Sequence, residues 1–141
     1  MNIIPITRDN NVVFIKQYRH GIRDVTLEIP GGMVEKEDTP KDAALRELKE
    51  ETGYTAHNIE FLGKVHPNPA ILNNECYTYL ARDVEKTNPQ HLDEREDIEV
   101  LLMPADEVPK LIQDEKNHSF TCNMCIYVFM VKTPPIFLSY R

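Results

Sequence analysis

Three glutamates, Glu47, Glu50 and Glu51, stand at i, i+3 and i+4 in the run Arg46-Glu47-Leu48-Lys49-Glu50-Glu51. On a helix that spacing puts them on one face, about 5–6 Å apart. Like charges held that close repel, and a helix needing only solubility gains more from alternating signs. A bound cation removes the penalty. Magnesium is the natural choice, with manganese the other candidate, because a hard ion takes oxygen ligands at about 2.0–2.1 Å and uses few carboxylates. Arg46 can pair with Glu50 one turn later and steady the cluster. A solvated charged face is the plainer reading of any acidic triplet. Here a strand-like run ending in Pro30-Gly31-Gly32 leads into it and Gly53 closes it, which favours chemistry.

The elements that must hold these residues are legible around them. Thr39 suits a helix N-cap, Pro40 the first turn, Asp42 the acid of a capping box and Gly53 the C-terminal stop, so the helix is predicted over 40–52. Ala44 and Leu48, with Leu45 and Thr52 alongside, form its packing side. Strands are predicted at 3–6, 12–17, 25–29, 59–65, 76–81 and 98–103, and further helices at 105–113 and 120–131, with Pro109 weakening the first of these. No regular βαβ alternation runs through this order. The fold class is therefore α/β of the α+β type, a mixed sheet with helices on both faces. One domain over 1–132 and an irregular tail over 133–141 account for the 141 residues.

Composition narrows the field. A net charge of −7 disfavours nucleic acid as a partner and suits an acidic pocket for divalent cations. No apolar run is long enough to span a membrane, and the start Met1-Asn2-Ile3-Ile4-Pro5 lacks the pattern of a signal peptide. Cys76, Cys122 and Cys125 give no disulfide framework, so a cytoplasmic location is expected. Cys122-x-x-Cys125 has no second pair and reads as core, and the five histidines, His118 among them, are assigned no role.

The stretch Gly32-x5-Asp38-x7-Arg46-Glu47-Leu48-x-Glu50-Glu51-x-Gly53-Tyr54 resembles the Nudix hydrolase signature at every fixed position except Asp38, where the family has Glu. The resemblance implies an α/β/α sandwich whose signature forms a loop–helix–loop. It implies Glu47 and Glu51 as principal metal ligands, Glu50 as a supporting one and the Gly31 carbonyl as another. Arg46 then holds the glutamates by ion pairs, and Asp38 occupies a supporting position one methylene short.

The signature leaves the base that activates water unassigned. Glu94 and Glu96 flank Arg95 in an acidic loop before the next strand. ADP-ribose pyrophosphatases of the family carry a catalytic glutamate and an extra ligand in a similar loop, which assigns Glu94 as base and Glu96 as ligand; the same run also reads as a polar surface loop. The candidate catalytic set is thus Glu94, Glu50 and Arg46. Gln17-Tyr18-Arg19, the run 27–32 and Pro69, fifteen positions after Tyr54, resemble the same branch. Arg19 can grip phosphate as a fork and Glu28 can accept from ribose or base, while each reads equally as a surface charge or a structural ion pair. Tyr18 reads as a packing residue.

The function implied is magnesium-dependent hydrolysis of ADP-ribose, or another nucleoside-diphosphate sugar, to a nucleoside monophosphate and a sugar phosphate. The alternatives are a nucleoside triphosphate or RNA 5′ pyrophosphohydrolase, and a non-catalytic nucleotide sensor, which need not keep the glutamate cluster. Members of this branch form a homodimer through additional N-terminal strands. This chain opens almost directly on the strand 3–6, so a homodimer is an open expectation.

Overall fold

In the computed structural model, residues 1–94 and 96–113 are described. The predicted helix 120–131, the Cys122/Cys125 pair, His118, Arg95 and the tail from Thr133 lie outside them. Among the described residues, seven strands and two helices follow in the order β1 (Asn2–Thr7), β2 (Asn11–Arg19), β3 (Asp24–Glu28), α1 (Pro40–Thr52), β4 (Tyr54–Thr55), β5 (Ile59–Val65), β6 (Cys76–Lys86), β7 (Ile98–Pro104) and α2 (Val108–Gln113).

The sheet is mixed. β1 runs parallel to β6, whereas β2 is antiparallel to β1, β3 and β7, and β6 is antiparallel to β4 and β5. Alternation along the strands sends apolar side chains to two cores, one per face. Ile4, Ile6, Val12, Phe14 and Leu80 meet Val108 of α2 on one face. Ile3, Val13, Tyr79 and Ala81 meet Ala43, Ala44 and Leu48 of α1 on the other. Burial on both faces explains why Val12 to Ile15 form a continuous apolar run rather than an alternating one.

Helix α1 starts and stops where the sequence predicts. Thr39 Oγ1 accepts from the Asp42 N–H at 3.2 Å, and Gly53 ends the helix at φ 76°, its N–H donating to the Lys49 carbonyl. The capping box differs in one detail: the Thr39 hydroxyl donates to the Asp42 carboxylate. Ala43 rather than Leu45 is fully buried, Leu45 being only partly covered. Tyr18 packs at the surface rather than in a core. It is 45% exposed and packs edge-on against His20, because β2 extends beyond the core at its C-terminal end. Pro109 falls in the first turn of α2, where its missing N–H is tolerated, and the helix begins three residues later than predicted.

Candidate active site

The two glycines that precede the signature helix are there for space. A Cβ on Gly31 would stand 2.5 Å from both the Asn2 side-chain oxygen and the Met1 carbonyl, and one on Gly32 2.3 Å from a Glu47 carboxylate oxygen. The Gly32 N–H donates to the Met1 carbonyl (3.1 Å) and the Ile3 N–H to the Pro30 carbonyl (2.9 Å), fastening this turn to β1. The Gly31 N–H points at the helix instead, donating to Glu51 Oε2 at 2.9 Å. Sequence, turn and helix register thus converge on a single place.

That place is a cleft of about 390 Å³ lined by Gln17, Arg19, Gly31, Gly32, Glu47, Glu50, Glu51 and Glu96 among others. The helix register makes its three glutamates unequal. Glu51 is 3% exposed, and burial pushes its carboxyl up to about 8, helped by the charges of Glu47 and Glu96 and opposed by the Gly31 N–H. Burial also raises Glu47, with Arg46 pulling against it. Glu50 is the most open of the three and takes Arg46 Nη1 at 3.0 Å. Arg46 further donates from Nη1 to Glu47 (3.2 Å) and from Nε to Asp38 (3.2 Å), so Asp38 reaches the arginine despite its shorter side chain.

The acidic loop reaches the cleft through contacts that the sequence pattern did not reveal. Gln90 Nε2 donates to the carbonyls of Glu51 (2.7 Å) and Ile98 (3.0 Å), and the His91 N–H donates to the Glu50 carbonyl (2.8 Å). These bonds satisfy carbonyls at the end of α1 and pin residues 90–91 there. Glu96 consequently lines the cleft, its carboxylate accepting from the Asp93 N–H at 3.1 Å. Glu94 sits in an exposed turn and is not part of the cleft lining.

Arg19 and Glu28 are bonded to each other. Nε and Nη2 of Arg19 donate to the two carboxylate oxygens of Glu28 at 2.8 and 2.9 Å, and the Thr26 hydroxyl donates to the same carboxylate. Burial alone would raise the Glu28 carboxyl; the bonds from Arg19 and Thr26 overcome it and hold the group below its usual range. Arg19 lines the cleft and Glu28 does not.

Among the described residues, no three His, Cys, Asp or Glu side chains converge as a ready ligand shell. The chemistry of the donor set nonetheless suits a hard divalent ion. Glu47, Glu51 and Glu96 present only oxygen, and the desolvation and mutual repulsion that raise the Glu51 carboxyl are what a bound cation would relieve.

Comparison with known proteins gives a family and a shared fold. Residues 1–123 match the NUDIX domain. The chain is 34% identical over 115 residues to the methanol dehydrogenase activator of Bacillus methanolicus, covering 81% of this chain and 62% of that protein. It is 30% identical over 115 residues to the ADP-ribose pyrophosphatase of Bacillus subtilis (strain 168), with the same 81% and 62% coverage. The chain therefore spans less than two thirds of these relatives' length. A crystal structure of an ADP compounds hydrolase superposes with a TM-score of 0.85 over 95% of this chain and 71% of that one, at 23% identity. The fold is shared.

Proposed function

The chain belongs to the NUDIX domain family, and from that membership we propose that it is a divalent-metal-dependent pyrophosphohydrolase of ADP-ribose or another nucleoside-diphosphate sugar. The observation that carries the proposal is the cleft that Glu47, Glu50, Glu51 and Glu96 line together with Arg19 and the Gly31-Gly32 turn. Resemblance to a named ADP-ribose pyrophosphatase supports the choice of substrate. Glu47 and Glu51, with Glu50 and the Gly31 carbonyl, would hold the ion, magnesium being the expected one. Bound there, it would neutralise diphosphate charge and make phosphorus more electrophilic.

The chain's own residues do the rest. Arg46, which also lines the cleft, holds Glu47 and Glu50 in place. A carboxylate of the acidic loop orients the attacking water and takes its proton as the oxygen–phosphorus bond forms. Of Glu94 and Glu96, the one in the cleft is the stronger assignment. Cleavage of the bridging phosphorus–oxygen bond then releases a nucleoside monophosphate and a sugar phosphate. A hydrolysis panel with magnesium tests the reading, comparing ADP-ribose, nucleotide sugars, dinucleoside polyphosphates and nucleoside triphosphates. The expected result is highest kcat/KM for the first two classes. Triphosphates emerging as the better substrates would overturn it.

A further inference from the structure

Among the described residues, one buried side-chain polar atom has no hydrogen-bond partner: Oε1 of Gln17. Gln17 stands two positions before Arg19 on β2, so the two side chains leave the same face of the strand, and both line the acidic cleft. Its backbone is committed elsewhere. Gln17 pairs in register with Thr26 of β3 and Ile98 of β7, and its carbonyl lies 3.2 Å from the Thr26 hydroxyl.

A buried acceptor left unmatched costs folding free energy, and an apolar side chain of the same shape would avoid that cost. Native chains keep few such groups. The neighbouring cleft residues Glu47, Glu51 and Glu96 already supply carboxylate oxygens. A further acceptor there answers a ligand that brings O–H donors. Ionised diphosphate oxygens bring none, whereas sugar hydroxyls and ion-bound water do.

We propose that Gln17 is a positioning residue of this cleft, its carboxamide oxygen accepting a hydrogen bond from an O–H donor of the bound ligand. The donor is a sugar hydroxyl of the substrate or a water carried on the divalent ion. Its identity rests on the pyrophosphohydrolase reading; the unmatched oxygen does not.

Gln17→Met keeps the length of the side chain and removes the acceptor. The full chain and this variant are compared by thermal denaturation without ligand, then by calorimetric titration with Mn²⁺ alone, and with AMP and ribose 5-phosphate each in the presence of Mn²⁺. The variant is expected to melt no lower than the parent and to lose roughly 3- to 10-fold in affinity in at least one titration, the size of one hydrogen bond. Weaker Mn²⁺ binding identifies the water. Unchanged Mn²⁺ binding with weaker AMP or ribose 5-phosphate identifies the sugar hydroxyl. A lower Tm, or failure to fold, makes Gln17 a structural residue and overturns the proposal, as do unchanged affinities in all three titrations. A chain that does not cleave ADP-ribose yet loses Mn²⁺ affinity in the variant would sink the substrate reading alone. An active enzyme indifferent to the substitution would sink this inference alone.

Discussion

Two arginines of this molecule are both surrounded by carboxylates, and they are held in different ways. Arg46 divides its guanidinium among Asp38, Glu47 and Glu50, with Glu35 at 3.7 Å, and its side chain is 29% exposed. Arg19 gives two arms of its fork to the single carboxylate of Glu28, on the neighbouring strand, and is 45% exposed. The first arrangement organises a site by keeping several acids in register. The second closes on itself, so its geometry alone does not commit it to a ligand. The signature helix therefore carries the larger functional consequence, and the strand pair β2–β3 a smaller one.

The sharpest test lies on the helix. Glu51→Gln keeps the shape of the side chain and removes a ligand charge, which should lower turnover by roughly 10²–10³-fold. Stability should move the other way. The Glu51 carboxyl titrates at about 8 in the folded chain, above its unfolded value, so the folded state holds the extra proton between the two. Stability thus falls as pH rises through this interval, and the ionisation penalty is complete above pH 8. Removing it should stabilise the ligand-free protein by on the order of 1–3 kcal/mol near pH 8 and leave it little changed near pH 4. Chemical denaturation at the two pH values and a steady-state assay check both halves. Loss of stability at pH 8 would mean that Glu51 is a structural acid.

Arg46 comes next. Arg46→Ala leaves three partly buried carboxylates without their partner, and should cost about 2 kcal/mol of stability together with roughly 10- to 100-fold in turnover. Arg46→Lys keeps the charge but cannot serve three acids at once, so it should recover most of the stability and little of the turnover. Equal recovery of both would reduce Arg46 to a point charge and erase its contrast with Arg19.

The acidic loop separates two neighbours of identical chemistry. Glu96 lines the cleft and Glu94 does not, so Glu96→Gln should lower kcat by roughly tenfold or more, within the range of general-base and ligand roles, while Glu94→Gln stays within about threefold of the parent. Steady-state kinetics at saturating metal decide it. The reverse order would restore Glu94 as the base.

How much of this was readable in the sequence depends on whether the determining contacts are local. Helix α1 was legible from Thr39 to Gly53 because caps and apolar spacing act within a few residues. The membership of Glu47, Glu50 and Glu51 in one cleft followed from the same periodicity. Their inequality did not, since Glu51 is buried by residues far along the chain, the Gly31 turn among them. Strand β4 escaped because two residues carry no pattern. Strand β6 ran past its apparent end at Ala81 because a bulge at Asp83, φ 55°, resets the register and returns Val84 to the core. Gln90 and His91 were missed for a related reason: their bonds to the end of α1 span some forty residues and leave no spacing to detect.

The smallest expected effect belongs to Arg19 and Glu28, and it is the one that most sharpens the contrast. With Nε and one N–H of Nη2 engaged by Glu28, the two N–H groups of Nη1 and the second of Nη2 remain to meet a phosphate, but the guanidinium charge is already shared with a carboxylate, which weakens the grip. Arg19→Ala should therefore lower kcat/KM for ADP-ribose by about tenfold, near the low end of about 1.5 kcal/mol for a bond to a charged group, with less change for ATP. Glu28→Gln works in the opposite direction. It frees the guanidinium from its carboxylate and should lower KM for the more anionic ATP by two- to threefold, narrowing the preference from the other side. Both variants also lose a partly exposed ion pair, which costs at most about 1 kcal/mol of stability. Opposite shifts in the two substrate profiles place Arg19 at the ligand. Equal losses of stability with both profiles unchanged would make the pair a clasp between β2 and β3, and leave substrate charge to be read by the signature helix alone.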